Sequence, residues 1–478
     1  MLPSLSLKPT LSPHDVERIH EHSLDLLERI GIDYKTPRAL EILEKLGCPV
    51  DYDRTWASLP RDLVEWAIEQ APRVVRLCAR DPARDVILDG RRPHHTTDSQ
   101  GTEAIDLETG ERRNSTAEDL RRMLLFADAL DMVEIVNVTV TASDVPAHMR
   151  VIRHFAMAFT QTSKHVRTGV LCAEQVPFLV ELVKAVTEET GFFCKRSDKN
   201  LVSQPFRPIF SVVDCTISPL MHDGPMTEAC IELAKLRVPI MVYPMPLAGG
   251  TSPVTLGGTI LLHNVEFLSG LVLFQAVNPG TPIIYGSGAS QLDMHTGRYG
   301  GSADGYGLGP ALGELAHFYN LPVNLGGLDT ASHTLDAQYG HEATAHCLLS
   351  YLAGADEIYS IGLLGSAQIL SLDKMVLDNH LAHQLEAAIK PVLMDEEHLQ
   401  ADLIERVGIG GTFLTQRETR NFTKSEYVPV WPPADKTVME VVHKEALDIL
   451  HNHQPPPLPE GAAAKIEAIV AEADKALS

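Results

Sequence analysis

Seven short apolar runs are each followed by residues that can do chemistry. Collected in order these are Thr141 and Ser143, Thr168 and Gly169, Asp214, Tyr243 and Pro244, Gly286 and Ser287, Gly327 and Asp329, and Gly362. The set mixes hydroxyls, carboxylates and glycines without a Ser-His-Asp order or a nucleophile elbow, so serine-based acyl transfer is not indicated. After Ser287 the sequence stays polar and glycine-rich as far as Asp304, longer than a simple strand-to-helix turn requires. That length marks 286–304 as a functional loop carrying Asp293, His295, Arg298 and Asp304.

Three other patterns invite a chemical reading and fail it. His341 and His346 in H-E-A-T-A-H are five apart, which sets the imidazoles about 140° apart around a helix, not on the one face zinc needs. The paired His94-His95 has no third ligand at a metal-binding spacing, so H-H-T-T-D-S-Q-G reads as a polar loop. G-Y-G-L-G (Gly305–Gly309) has no apolar strand before it, which argues against a dinucleotide or S-adenosylmethionine site.

Composition narrows the field further. The chain of 478 residues is 44% hydrophobic, ample for a full core, and carries a net charge of −23. That charge excludes nucleic acid as an expected partner and is compatible with a cationic small molecule. The 7 cysteines are dispersed singly, as expected of reduced thiols in a cytoplasmic protein without a disulfide framework or a bound metal. The N-terminus shows no signal-peptide pattern. The most apolar run, 256–277, contains His263, Asn264, Glu266 and Gln275, so it reads as a buried barrel helix and no membrane association is expected.

The elements that must position the polar set alternate in type. Strands are expected at 134–141, 165–170, 208–214, 238–243, 282–285, 322–325 and 357–361, separated by amphipathic stretches, with an eighth near Gly411–Thr415. This rhythm predicts an α/β chain folded as a (β/α)8 TIM-type barrel, with its site at the carboxyl ends of the strands. Helices at 12–30, from Thr36-Pro37 to Gly47, and at 61–70 form an N-terminal helical extension. A helix opens at a Ser115/Glu118 capping box. The expected organisation is a helical cap with a β-rich segment over 1–110, the barrel over 111–433, and C-terminal helices over 434–478 joined by the Pro455–Pro459 linker.

Several of these stretches carry a resemblance. P-M-P-L-A-G-G-T-S-P-V-T-L (244–256), N-P-G-T-P-I-I-Y-G-S (278–287), L-D-M-H-T-G (292–297), L-P-V-N-L-G-G (321–327) and S-H-T-L-D-A-Q-Y-G-H-E (332–342) resemble the trimethylamine methyltransferase superfamily. G-T-F-L-T-Q-R-E-T-R (411–420) and L-S-P-H-D-V-E-R-I-H (11–20) fit it too, so the resemblance spans about residues 10–433. It implies a barrel enzyme that moves a methyl group from an amine to the Co(I) of a separate corrinoid protein and holds no tight cofactor itself. A cytoplasmic homo-oligomer is expected.

One departure bears on the substrate. Where the family's archetype carries pyrrolysine, this chain has ordinary residues, Gly327 through His333, before Asp336-Ala337-Gln338. Pyrrolysine-free members resemble betaine methyltransferases, which implies glycine betaine or a related quaternary amine. Under that resemblance Asp329, His333 and Asp293 are the catalytic candidates. Tyr243, Tyr306 and Asp304 would face the ammonium group, with Asp293 and Asp329 beside them. Ser287, His295, Arg298, Ser332, His333, Gln338 and His346 would bind the substrate's carboxylate. The alternatives are a (β/α)8 lyase or hydrolase, or a non-catalytic barrel that binds a small ligand. For Asp329 there is also a purely structural alternative, capping of the helix that follows.

Overall fold

The computed structural model describes residues 9–187, 192–197, 200–204, 207–300, 303–425 and 428–478. Eight strands form a closed, all-parallel barrel: β1 (His94–Thr97), β2 (Val133–Asn137), β3 (His165–Thr168), β4 (Phe210–Asp214), β5 (Ile240–Val242), β6 (Ile283–Gly286), β7 (Val323–Gly326) and β8 (Glu357–Ile361). They follow chain order around the barrel, and Glu357 of β8 pairs with His94 of β1 to close it. Three helices precede the barrel: α1 (Pro13–Arg29), α2 (Pro37–Glu44) and α3 (Arg61–Gln70). Eight more alternate with the strands: α4 (Ala117–Ala129), α5 (Arg150–Gln161), α6 (Val176–Val186), α7 (Gly224–Lys235), α8 (Leu256–Val277), α9 (Leu308–Phe318), α10 (Ala337–Leu352) and α11 (Leu372–Ile389). The expected (β/α)8 class is therefore the observed one.

The strand missing from the seven expected runs is β1, not the stretch near Gly411–Thr415, which is irregular and exposed. H-H-T-T looks like a loop because it lacks the apolar run that a strand buried on both faces usually shows. Three of its side chains instead find polar partners inside the fold. His94 Nδ1 lies 2.9 Å from Glu134, His95 Nε2 lies 2.5 Å from Tyr351 Oη, and Thr97 Oγ1 donates to Asn137 O at 2.8 Å. The barrel thus begins at His94, inside the segment assigned to the N-terminal cap, and its last helix ends at Ile389 instead of running on to 433. The helix-opening box is also displaced by one residue. Thr116 N donates to Asp119 at 2.8 Å, while the Ser115 hydroxyl bonds Thr141 O.

The N-terminal helices start where capping chemistry places them: Ser12 caps α1, boxed by Asp15, and Thr36 caps α2. α1 and α3 cover α8, whose length and apolarity alone would suit a membrane span. Its buried Glu266 and Asn264 have protein partners instead. Glu266 accepts from Thr216, Ser218 and Leu220 N at 2.6–2.9 Å, and Asn264 Nδ2 donates to Ser23 and Tyr319 at 2.9 and 2.8 Å.

A hairpin (Val75–Leu77 with Val86–Leu88) packs its apolar side chains on Ile135, Met241 and Ile284. Beyond the barrel, three short helices α12 (Glu396–Leu399), α13 (Ala401–Val407) and α14 (Arg417–Ser425) lead to α15 (Val438–Asn452) and α16 (Ala462–Leu477). α15 packs on α11 and α4, and α16 packs on α5 and α6. The proline linker between them is clamped by Arg80, whose guanidinium donates to Pro456 O and Pro457 O at 2.8 and 3.0 Å.

Candidate active site

A cavity of about 360 Å³ is lined by residues at and just past the carboxyl ends of the strands. On its floor Arg167 (β3) forms a bidentate pair with Glu357 (β8) at 2.6 and 2.7 Å, both side chains fully buried. Arg167 Nε also donates to Ser211 at 2.9 Å, and Asn324 Nδ2 (β7) donates to Glu357 at 2.9 Å. Four strands are thus cross-tied by one network, which satisfies a charge pair that would otherwise be very costly to bury. Asn137 and Asn324 also line the cavity, and each keeps its side-chain oxygen free of any protein donor among the described residues.

The walls are aromatic and acidic. Tyr243, just past β5, meets Tyr359 of β8 edge to face at 6.0 Å, and Tyr299 lines the same space. Tyr359 donates to Ser287 O at 3.1 Å and Tyr299 to Ser366 O at 2.6 Å. Burial pushes all three phenols above their ordinary value, so they present neutral rings.

Two carboxylates face the cavity. Asp98, just past β1, is buried and accepts from Ser99 N at 2.8 Å; no cation touches it among the described residues. Burial pushes its carboxyl up to about 7, against the opposing pull of that N–H and of the nearby Lys374. Asp329 follows β7 and lies 2.6 Å from His346 Nδ1 of α10. Burial works to raise the Asp329 carboxyl, but the neighbouring imidazolium outweighs it and holds the group below its usual value. For His346 burial works the other way, and Asp329 prevails there too, holding its pKa above the ordinary one. Tyr306 stacks on His346 at 5.1 Å. Asp329, His346, Tyr306 and Ser287 also line an adjoining recess of about 60 Å³.

The supporting shell explains the glycines and the loop shapes. A Cβ at Gly326 would sit 2.9 Å from His346 and 3.2 Å from Tyr359 Oη, so only glycine lets both rings close on the end of β7. Buried Lys374 donates to Leu328 O, Ser360 O and Asp378 at 2.8, 3.1 and 2.6 Å. It therefore ties the β7 loop to the end of β8, where Ser360 is held at φ +97° on the cavity wall. Glu342 of α10 accepts from Thr330 Oγ1 and Ala331 N at 2.6 and 2.8 Å and fixes the turn after Asp329.

The structure brings Tyr243, Ser287, Tyr306, Asp329 and His346 together at the cavity and its recess. It does not bring six other candidates there. Asp293, His295 and Arg298 occupy an exposed turn in which Asp293 accepts from His295 N and Thr296 Oγ1, because the carboxylate's local bonds close the turn on itself. Ser332 donates to Thr334 O and Asp336, shaping the start of α10, and Gln338 is exposed and donates to Glu342. His333 contacts Arg112 at 3.0 Å. The side chain of Asp304 lies outside the described residues. Helix α10 is capped by Asp336, which accepts from Tyr339 N at 3.0 Å, so Asp329 is not its cap.

Asp98, Arg167, Tyr299, Asn324 and Tyr359 line the cavity without having been singled out in the sequence. Asp98 stands directly after the disguised strand β1, and Arg167, Asn324 and Tyr359 sit inside strands. A charged residue in the middle of a short strand is the one signal that could have found Arg167. Cys215 also lines the cavity, and burial pushes its thiol up to about 12, leaving it protonated. Among the described residues no group of three His, Cys, Asp or Glu side chains converges as a metal site.

The trimethylamine methyltransferase (MTTB) family profile matches residues 5–477. Trimethylamine methyltransferase MttB of Desulfitobacterium hafniense (strain DSM 10664 / DCB-2) is 32% identical over 475 residues, covering 97% of this chain and 93% of that protein. The glycine betaine methyltransferase of Desulfitobacterium hafniense (strain Y51) is 29% identical over 480 residues, covering 97% of each. The crystal structure of the Methanosarcina barkeri monomethylamine methyltransferase aligns with a TM-score of 0.48 at 12% identity, covering 99% of this chain and 95% of that one.

Proposed function

Because the chain belongs to the trimethylamine methyltransferase family, we propose that it moves a methyl group from a quaternary amine, glycine betaine or a related betaine, to the corrinoid of a separate protein. The observation that carries this reading is the cavity itself. Three neutral tyrosine rings, Tyr243, Tyr299 and Tyr359, line it together with the carboxyl groups of Asp98 and Asp329. Aromatic faces and carboxylates are the groups that hold a methylated ammonium, which has no N–H to donate.

The partner's reduced corrinoid, when docked, supplies the nucleophile. The residues of this chain bind and orient. A quaternary nitrogen leaves with the electron pair of the broken C–N bond and becomes a neutral tertiary amine, so no side chain has to deliver a proton. The neutral Cys215 thiol accords with a direct transfer that uses no covalent intermediate on the protein. The aromatic walls exclude water and hold one N-methyl toward the cavity mouth. Leu171 and Met245 line the cavity yet remain 49% and 47% exposed, which supports an apolar rim suited to a docking protein.

The test is a panel of quaternary and tertiary amines offered with a reduced corrinoid protein, with methylation read from the visible spectrum. Methylation from at least one quaternary amine is expected. Failure across the panel, with the corrinoid demonstrably reduced, would refute the reading.

A further inference from the structure

A carboxylate on the methyl donor needs a cation to receive it, and the residues lining the cavity and its recess include two, Arg167 and His346. Arg167 is already committed: both terminal nitrogens donate to Glu357, and Nε donates to Ser211. His346 is not. Its Nδ1 lies 2.6 Å from Asp329, which holds the ring charged against the pull of burial. Its Nε2 has no hydrogen-bond partner among the described residues.

That nitrogen faces the recess. A Cβ at Gly309, which lines the recess, would lie 3.9 Å from it. Gln291 lines the same space, and its buried Oε1 accepts from no described residue. An amide so placed can turn its NH2 toward an anion. At about 60 Å³ the recess has room for about four water-sized groups, enough for a carboxylate and its attached carbon.

The geometry of the pair also sets a length. The cavity touches only the Asp329 end of it, whereas His346 is reached from the recess. The two nitrogens of an imidazole point in nearly opposite directions. An oxygen accepting from Nε2 therefore stands about 7 Å from the Asp329 oxygen at Nδ1, by ordinary hydrogen-bond lengths. Ser290, Gly300 and Asp329 line both spaces, so a substrate can run from one into the other. In glycine betaine a single methylene keeps the carboxylate oxygens about 3–4 Å from the nitrogen, whereas three or four methylenes extend this to about 6–7 Å.

We infer that the recess is the subsite for the donor's carboxylate, with His346 as its counter-charge, and that the donor is a long betaine with three or more methylenes between nitrogen and carboxylate. This rests on the quaternary-amine reading and narrows it.

Calorimetric titration of the purified chain tests the inference without the corrinoid protein. The ligands are glycine betaine, its three- and four-methylene homologues, and the matching alkyl trimethylammonium ions without a carboxylate. The long betaines are expected to bind at least about tenfold more tightly than either glycine betaine or the carboxylate-free ions. His346→Gln should erase both differences. Gly309→Val, which leaves the Asp329–His346 pair in place and fills the recess, should erase them too. Glycine betaine binding as tightly as its homologues overturns the inference. So does equal binding of the carboxylate-free ions, a preference that either folded variant retains, or a chain that binds no member of the series. A long betaine that binds tightly yet gives no methyl group to a reduced corrinoid protein would count against the transfer reading alone and leave the recess assignment standing.

Discussion

His346 Nδ1 sits 2.6 Å from a carboxylate oxygen of Asp329, and each group holds the other in its charged form against the pull of burial. The pair closes one side of the cavity, between Tyr306 stacked on the imidazole and the turn that Glu342 fixes. Asp329 is thus a carboxylate fixed in charge and position at the mouth of the barrel, independent of the helix that follows it.

Asp329→Ala is therefore expected to lower methyl transfer at least about tenfold, roughly 1.4 kcal/mol of transition-state binding, while the melting temperature changes little. Asp336 keeps α10 capped in this variant, and His346 can relax by losing its proton instead of remaining as an unpaired buried charge. Kinetics and thermal denaturation on one preparation decide it. A variant that melts early yet turns over normally would assign Asp329 a structural role.

Asp98 predicts a pH dependence of opposite sign for stability and for substrate capture. Its folded pKa of about 7 lies above the ordinary 3.8, so the folded state favours the protonated form. The stability this contributes is complete below pH 3.8 and is lost as pH rises through 7. Asp98→Asn should therefore gain stability relative to wild type at pH 8 and none at pH 4, by denaturant titration at both values. Capture of a cation needs the ionised form, so wild-type kcat/KM should rise with pH through about 7. A wild-type profile flat across pH 6 to 8, with the variant equally active, would remove Asp98 from the site.

How far the sequence reached depends on what each residue faces. β2 and β4 to β8 carry short apolar runs because their outer sides pack on helices, and they stand out between turn residues. β1 has no such run: His94, His95 and Thr97 are all paired with polar partners, so its strand character is encoded only in contacts distant along the chain. Missing β1 also hid Asp98, which stands directly after it. The barrel's interior polar layer was hidden for a related reason, since Arg167 and Glu357 neutralise each other across half the barrel and neither betrays its partner in sequence.

The long 286–304 loop illustrates the opposite case. Its polar composition drew attention to Asp293, His295 and Arg298, which fold into an exposed turn with bonds among themselves. What the same loop brings to the cavity is Gly288, Ser290, Tyr299 and Gly300. By contrast Tyr243, Ser287 and Asp329 were legible because the carboxyl end of a barrel strand has only one place to point.

The floor network makes a stability prediction. Glu357→Ala leaves the Arg167 guanidinium buried without its counter-charge and should cost about 3–5 kcal/mol. Replacing both residues, as Arg167→Met/Glu357→Leu, should recover much of that loss. Chemical denaturation of the single and double variants checks this. A double variant no more stable than the single would show that the pair is not the dominant tie. Both are expected to lose methyl transfer, since Arg167 lines the cavity floor.

Charge alone does not separate tertiary from quaternary amines. Protonated trimethylamine is also a cation and would enter the tyrosine cavity, but it carries an N–H, and Asp98 and Asp329 stand ready to accept it. The neutral free base could be expelled from a methyl group only as an amide anion, which no described residue of the cavity stabilises, and the protonated form is held by its N–H to a carboxylate instead of by its methyl groups to the tyrosine faces. A quaternary amine has no proton to lose and leaves as a neutral amine. The ordinary side chains at 327–333 offer no electrophile to activate a tertiary nitrogen. At least one quaternary amine should therefore surpass trimethylamine in kcat/KM by about a hundredfold or more, roughly 2.7 kcal/mol in the barrier. Parallel spectrophotometric assays of corrinoid methylation at saturating reductant measure the ratio. Comparable turnover of the two classes would mean that the cavity activates tertiary amines by some other route, and would sink the quaternary-amine assignment while leaving the methyltransferase family membership intact.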